Sequence, residues 1–87
     1  MSIKQATNKL FQLARNISME TKHDVFFNYS PHVHLINVFI HKGGWDEANP
    51  KTFDRDIYLH SNWKTPEEIL KQIEDTIKEV KRICDYK

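Results

Sequence analysis

The run Val33–Lys42, VHLINVFIHK, constrains the fold more than any other stretch of this chain. It is the longest β-type segment present, and successive side chains of a pleated strand point to opposite faces. Ile36, Val38 and Ile40 therefore share one face, while Leu35, Asn37, Phe39 and His41 share the other. The first face is aliphatic and belongs in a core. The second mixes apolar, amide and imidazole groups, as a surface that meets something would.

Two shorter β segments flank the central one. In Asp24–Tyr29 the residues Val25, Phe27 and Tyr29 share a face, with Phe26 and Asn28 opposite. In Thr52–His60 the residues Phe53, Ile57 and Leu59 point one way, and Asp56, Tyr58 and His60 the other. Ser30-Pro31 separates the first strand from the second, because proline cannot donate to a ladder and restricts its predecessor. Gly43-Gly44 ends the second strand, and the polar loop GGWDEANPK, with a turn at Asn49-Pro50, leads to the third.

Helical signals enclose the β region. Ser2-Ile-Lys-Gln5 reads as a capping box, after which Ile3, Ala6, Leu10, Leu13 and Ile17 recur at helical spacing with Phe11 beside them. This helix should fade between Glu20 and His23. Thr65-Pro-Glu-Glu68 is a second capping box with proline at the first helical position. Ile69, Ile73, Ile77, Val80 and Cys84 then form a stripe widened by Leu70, Thr76 and Ile83. The element order is α-β-β-β-α. Three consecutive short strands between two amphipathic helices predict an α+β fold: a three-stranded antiparallel sheet with both helices packed on one face.

Length and composition agree with a single domain over residues 1–87. A chain of this size buries roughly 60% of its unfolded surface, enough for one modest core. Thirteen basic and twelve acidic side chains leave it near neutral, which argues against a strongly basic nucleic-acid binder or a fully acidic mimic. Charge is nonetheless polarised: residues 1–43 carry a net +3, residues 44–79 a net −4, and the last eight a net +2. Cys84 is the sole cysteine, so no internal disulfide forms. No segment reads as a secretory leader or a membrane span, and the expectation is a soluble cytoplasmic protein without membrane contact.

The sheet face opposite the helices is the main candidate site. By strand alternation it displays Phe26, Asn28, Asn37, Phe39, His41, Asp56, Tyr58 and His60, and Trp45 in the following loop extends its edge. Soluble proteins rarely leave contiguous aromatic patches idle, and interface cores are enriched in aromatic side chains. A heterologous protein partner is the first reading of this face and a homodimer seam the second. A scatter of ordinary exposed aromatics is the bland account. Asp46, Glu47, Asp54, Glu67 and Glu68 form an acidic surface that suits a basic groove.

Other groups carry weaker signals. His32-Val-His34 would put two imidazoles on one side of an extended segment, and His41 and His60 would be cross-strand neighbours. No spacing matches a zinc site, so neither a metal nor another cofactor is assigned. Cys84 lies on a buried stripe and reads as a small core residue, not a nucleophile. Trp63, just before the second helix, is expected to cover the core edge in the manner of a hydrophobic staple.

The αβββα order resembles the double-stranded-RNA-binding domain and the small HicA-type toxin ribonucleases built on it, with Ser30-Pro31-His32 and Phe39 as the local echo. That resemblance implies RNA binding or cleavage, with His32 or His34 as the catalytic candidate. The RNA binders open their last helix with lysines, whereas this one opens with Thr65-Pro-Glu-Glu68. In size and in its Lys-, Asn-, Ile- and Glu-rich composition the chain also resembles the small accessory proteins of Gram-positive phages and prophages. Such proteins bind and block a host factor, defence nucleases included, so this resemblance implies a non-enzymatic inhibitor acting stoichiometrically on a host protein.

Overall fold

Both helices begin the same way. In the computed structural model, which describes residues 1–48 and 50–87, α1 spans Ile3–Glu20 and α2 spans Pro66–Ile83. The Ser2 hydroxyl accepts from the Gln5 N–H at 3.1 Å, and the Gln5 side chain accepts from the Ser2 N–H at 2.8 Å. Thr65 and Glu68 make the same reciprocal pair, both at 3.2 Å. Each box satisfies two N–H groups that a helix start would otherwise leave unpaired. Thr65→Ala should therefore cost about 1 kcal/mol, read as a fall of several degrees in the thermal midpoint.

α1 is tied off by hydroxyl groups. The Thr21 hydroxyl donates to the Ile17 carbonyl at 2.7 Å and accepts from the His23 N–H at 3.1 Å as the chain turns out of the helix. One turn earlier, Ser18 Oγ accepts from the Val25 N–H at 2.9 Å and donates to the Val25 carbonyl at 3.2 Å. That pair of bonds anchors the helix end to the first strand.

The strands are β1 (Asp24–Ser30), β2 (Leu35–His41) and β3 (Phe53–Tyr58), ordered β1-β2-β3 and antiparallel throughout. Phe26 faces Phe39, Asn28 faces Asn37 and Asn37 faces Asp56, so the three strands present one parity to each side. Val25, Ile36, Val38, Ile40 and Ile57 are buried beneath the helices with Leu10, Ile17, Ile73 and Val80. α1 packs on β1, α2 on β3, and the helices on each other. The α+β architecture expected from the element order is the one observed.

Several local expectations need correction. The central strand is Leu35–His41 and not the full Val33–Lys42: Pro31–Val33 is a single 3₁₀ turn, and His34 follows at φ 51°. A tight connection between antiparallel neighbours needs such a left-handed step. His32 and His34 therefore do not share one side of an extended segment. β3 is shorter than Thr52–His60, because its ladder closes with Leu59 N–H on the His34 carbonyl at 2.8 Å. The turn expected at Asn49-Pro50 lies partly outside the described residues. In the same loop Gly44, at φ +106°, would carry a side chain only under strain: an added Cβ would approach the Lys22 carbonyl to 3.2 Å.

Two polar side chains enter the helix-covered layer. Arg55 sits on the core parity of β3, its guanidinium 5.0 Å from the Phe53 ring centre. It donates to the buried Thr76 hydroxyl at 3.1 Å, which in turn donates to the Gln72 carbonyl at 2.7 Å. Arg55 thus runs its stem along apolar surface and finds an acceptor on α2. Cys84 is buried at the end of α2, and burial pushes its thiol pKa up, as an inert core residue requires.

Candidate functional site

Neither helix covers the other side of the sheet, and its side chains fall into three zones. At one end Phe26 and Phe39 stack with ring centres 4.5 Å apart and planes within 10° of parallel. His41 meets both rings edge-on at 5.8 Å. Lys51, arriving from the loop, places its ammonium 4.2 Å from the centre of the Phe39 ring. A cation over an aromatic face is attracted by the ring quadrupole, which holds the Phe39 edge of the stack in place.

The middle zone is polar and ordered by one residue. The Asn37 side-chain amide donates to Asp54 Oδ1 at 2.8 Å and to Asp56 Oδ1 at 2.7 Å. Two carboxylates that would repel each other are thereby held side by side on β3, and Lys51 partners Asp54 at 3.3 Å. The Asn37 hydrogen bond lowers the Asp54 pKa below the ordinary 3.8, desolvation opposes it, and Lys51 adds to the lowering. The folded form is the better acid, so its contribution is present above the unfolded pKa and lost as pH falls through the folded one. Carboxyl-carbon NMR should give an Asp54 midpoint below 3.8. Asn37→Ala should raise it toward that value.

The third zone lies at the opposite end. Tyr58 is 54% exposed opposite Leu35, and the His34 and His60 rings lie 6.2 Å apart beyond it.

The candidate residues chosen from strand alternation are thus placed unequally. Phe26, Asn28, Asn37, Phe39, Asp56 and Tyr58 do share the uncovered face. His41 has the right parity but is only 6% exposed, packed among the two rings. It supports the stack and offers a partner little surface. Its Nδ1 is buried with no hydrogen-bond partner among the described residues. His60 is exposed but far from His41: His41 pairs with Asp24 at one end of β2, and His60 adjoins His34 at the other. The expected His41–His60 cross-strand pair does not exist, since the offset between the strands sets them at opposite ends.

The two tryptophans also separate. Trp45 keeps a place at the aromatic end, its backbone N–H held by Asp24 Oδ2 at 2.8 Å and its side chain exposed. Trp63 does not cover the core: it is 93% exposed. A staple requires the residue immediately before the N-cap, and that residue is Lys64, which bonds Gln72 at 3.2 Å instead. Trp63 stands one position too early.

Two further contributors, Lys51 and His23, come from the structure, and Asp54, expected only in the acidic surface, joins the uncovered face. Asp54 has the parity of Asp56 and was legible from that spacing alone. Lys51 reaches the face from a loop, for which alternation gives no signal. His23 is buried, and its Nδ1 accepts the Gly43 N–H at 2.8 Å, pinning the loop after β2 to the end of α1.

The acidic surface is likewise only partly free. Asp54 is bound by Asn37 and Lys51, Glu68 closes a helix cap, and Asp46 accepts the Ala48 N–H at 3.0 Å. Among the described residues no cluster of three metal-ligating groups is assembled, and no helix is long and apolar enough to cross a membrane. Set against protein-family models, curated proteins and solved structures, the chain matches none.

Proposed function

We propose that the chain is a non-enzymatic binding module that docks through its uncovered sheet face onto a basic surface of a partner protein. The observation that carries this reading is the aromatic stack of Phe26 and Phe39 beside a pair of carboxylates aligned by Asn37. Arginine suits both halves of such a face, since its guanidinium stacks on aromatic rings and forks onto carboxylates. Because internal bonds already hold these side chains, little ordering entropy remains to be lost on binding. Tyr58 and Trp45 extend the contact at the two ends.

The resemblance to phage accessory proteins makes the partner a host protein in the bacterial cytoplasm, and blockade of a defence nuclease is one form of that activity. The rival reading, RNA binding or cleavage through His32 or His34, calls for cations at the start of α2. That terminus carries Glu67 and Glu68, which repel phosphate.

Affinity capture from bacterial lysate with the wild-type chain and with Tyr58→Ala is the test. The reading expects proteins retained by the first and lost by the second, with no RNA degradation by either. RNA cleavage abolished by His32→Ala or His34→Ala would establish the rival. A concentration-dependent mass in sedimentation, relieved by Tyr58→Ala, would instead make the face a homodimer seam.

A further inference from the structure

A second recognition element lies at the free edge of β1, away from the uncovered face. The ladder bonds decide which backbone groups point outward there. Leu59 N–H donates to the His34 carbonyl at 2.8 Å and Thr52 N–H to the Ile40 carbonyl at 2.8 Å, so the even-numbered residues of β2 bond toward β3. Its odd-numbered residues then bond toward β1, to Asp24, Phe26, Asn28 and Ser30. Val25, Phe27 and Tyr29 turn their N–H and C=O groups away from the sheet. Ser18 takes both groups of Val25, at 2.9 and 3.2 Å. No described residue takes those of Phe27 or Tyr29.

An exposed edge with open donors and acceptors invites another strand. Here it is flanked by a groove of about 410 Å³ between the first half of α1 and the sheet, lined by Ile3, Lys4, Phe11, Phe27, Tyr29 and Leu59 among others. Phe27 and Phe11 meet edge-to-face at 5.4 Å on its wall. The charged side chain in its lining is a cation, and a second cation stands beside Phe11. Lys4 lines the groove and the Arg15 guanidinium lies 6.0 Å from the Phe11 ring centre. Glu20 is the first acidic residue of the chain, and it is engaged by the Tyr86 hydroxyl at 3.2 Å. The ion pairs among the described residues are Lys51–Asp54 and Arg82–Glu79, so Lys4 and Arg15 have no carboxylate partner.

We propose that this edge and groove bind an extended peptide by strand addition, one with apolar residues at alternate positions and carboxylates flanking them. The peptide backbone pairs with Phe27 and Tyr29, its alternate side chains enter the groove, and its flanking acids meet Lys4 and Arg15. A second copy of the chain fits less well, because a two-fold axis along this edge would bring the same cations together. Strand addition also leaves the Phe39 face open, so the two surfaces can be occupied independently.

The probe is a displayed library of random peptides panned against the full chain. Enrichment of alternating apolar sequences with flanking Asp or Glu is expected, and a synthetic copy of an enriched peptide should slow exchange of the Phe27 and Tyr29 amides. Tyr29→Pro removes an outward N–H that bonds nothing within the sheet. Asn8 also lines the groove, and Asn8→Trp leaves the strand intact while filling the groove from α1. Each should weaken that peptide about tenfold or more, Lys4→Glu should weaken it less, and Phe39→Ala should not change it. The proposal is overturned if no such sequence is enriched, or if the enriched peptide ignores Asn8→Trp and is lost in Phe39→Ala. It is equally overturned if the edge is occupied by a second copy, seen as a doubled mass that Asn8→Trp abolishes.

Discussion

Ile36→Ala is expected to lower the unfolding free energy by about 3 kcal/mol, and with it the thermal midpoint by roughly 15 °C. Ile36 is fully buried on the central strand, between Tyr29 and Ile57 and beneath the helices. Truncation removes apolar contact and leaves a cavity that neighbours on three elements cannot close. Tyr58→Ala, on the same sheet but the opposite face, should shift the midpoint hardly at all, since half of that side chain already faces solvent. Phe39→Ala falls between them, at about 1 kcal/mol, because it loses the Phe26 stack. Circular-dichroism melts of the three variants check the order. If Tyr58→Ala cost as much as Ile36→Ala, the two faces would be exchanged.

On the binding side, Phe39→Ala and Tyr58→Ala should each weaken the partner complex by about 30-fold or more, the scale of an interface hot spot. The aromatic groups supply apolar contact at opposite ends of the face, and neither is needed to close the core. Asp56→Lys should act differently. It replaces one of the two carboxylates held by Asn37 with a like charge for the proposed partner, so it should mainly slow association. Wild-type association should slow with added salt, and Asp56→Lys should flatten or invert that dependence. Surface plasmon resonance on the captured partner separates the two effects.

Alternation made the faces legible, and caps made the helices legible. Ile36, Val38 and Ile40 against Asn37 and Phe39 assign the two sides of β2 without any tertiary information, and the register carries that assignment to β1 and β3. Ser2 and Thr65 mark the helix starts by local hydrogen bonding alone. What alternation cannot give is depth and offset. His41 has the parity of an exposed group yet is buried by rings whose reach depends on the strand pairing. His60 lies beyond the end of β3, so its distance from His41 depended on a register that the sequence leaves open. The Lys51 contact and the His23–Gly43 bond join a loop to distant elements. No periodicity announces such contacts. Ser18, which seals Val25 and leaves Phe27 and Tyr29 as the open stretch of the β1 edge, reads in sequence as an ordinary polar helix residue.

Radical footprinting of the chain, free and in complex with its captured partner, tests the docking face most directly. Phe26, Phe39 and Tyr58 should lose reactivity in the complex, while Met19, exposed on α1, should react as before. Unchanged reactivity at Phe39 and Tyr58, with protection confined to the helices, would contradict the assignment of the sheet face as the binding surface.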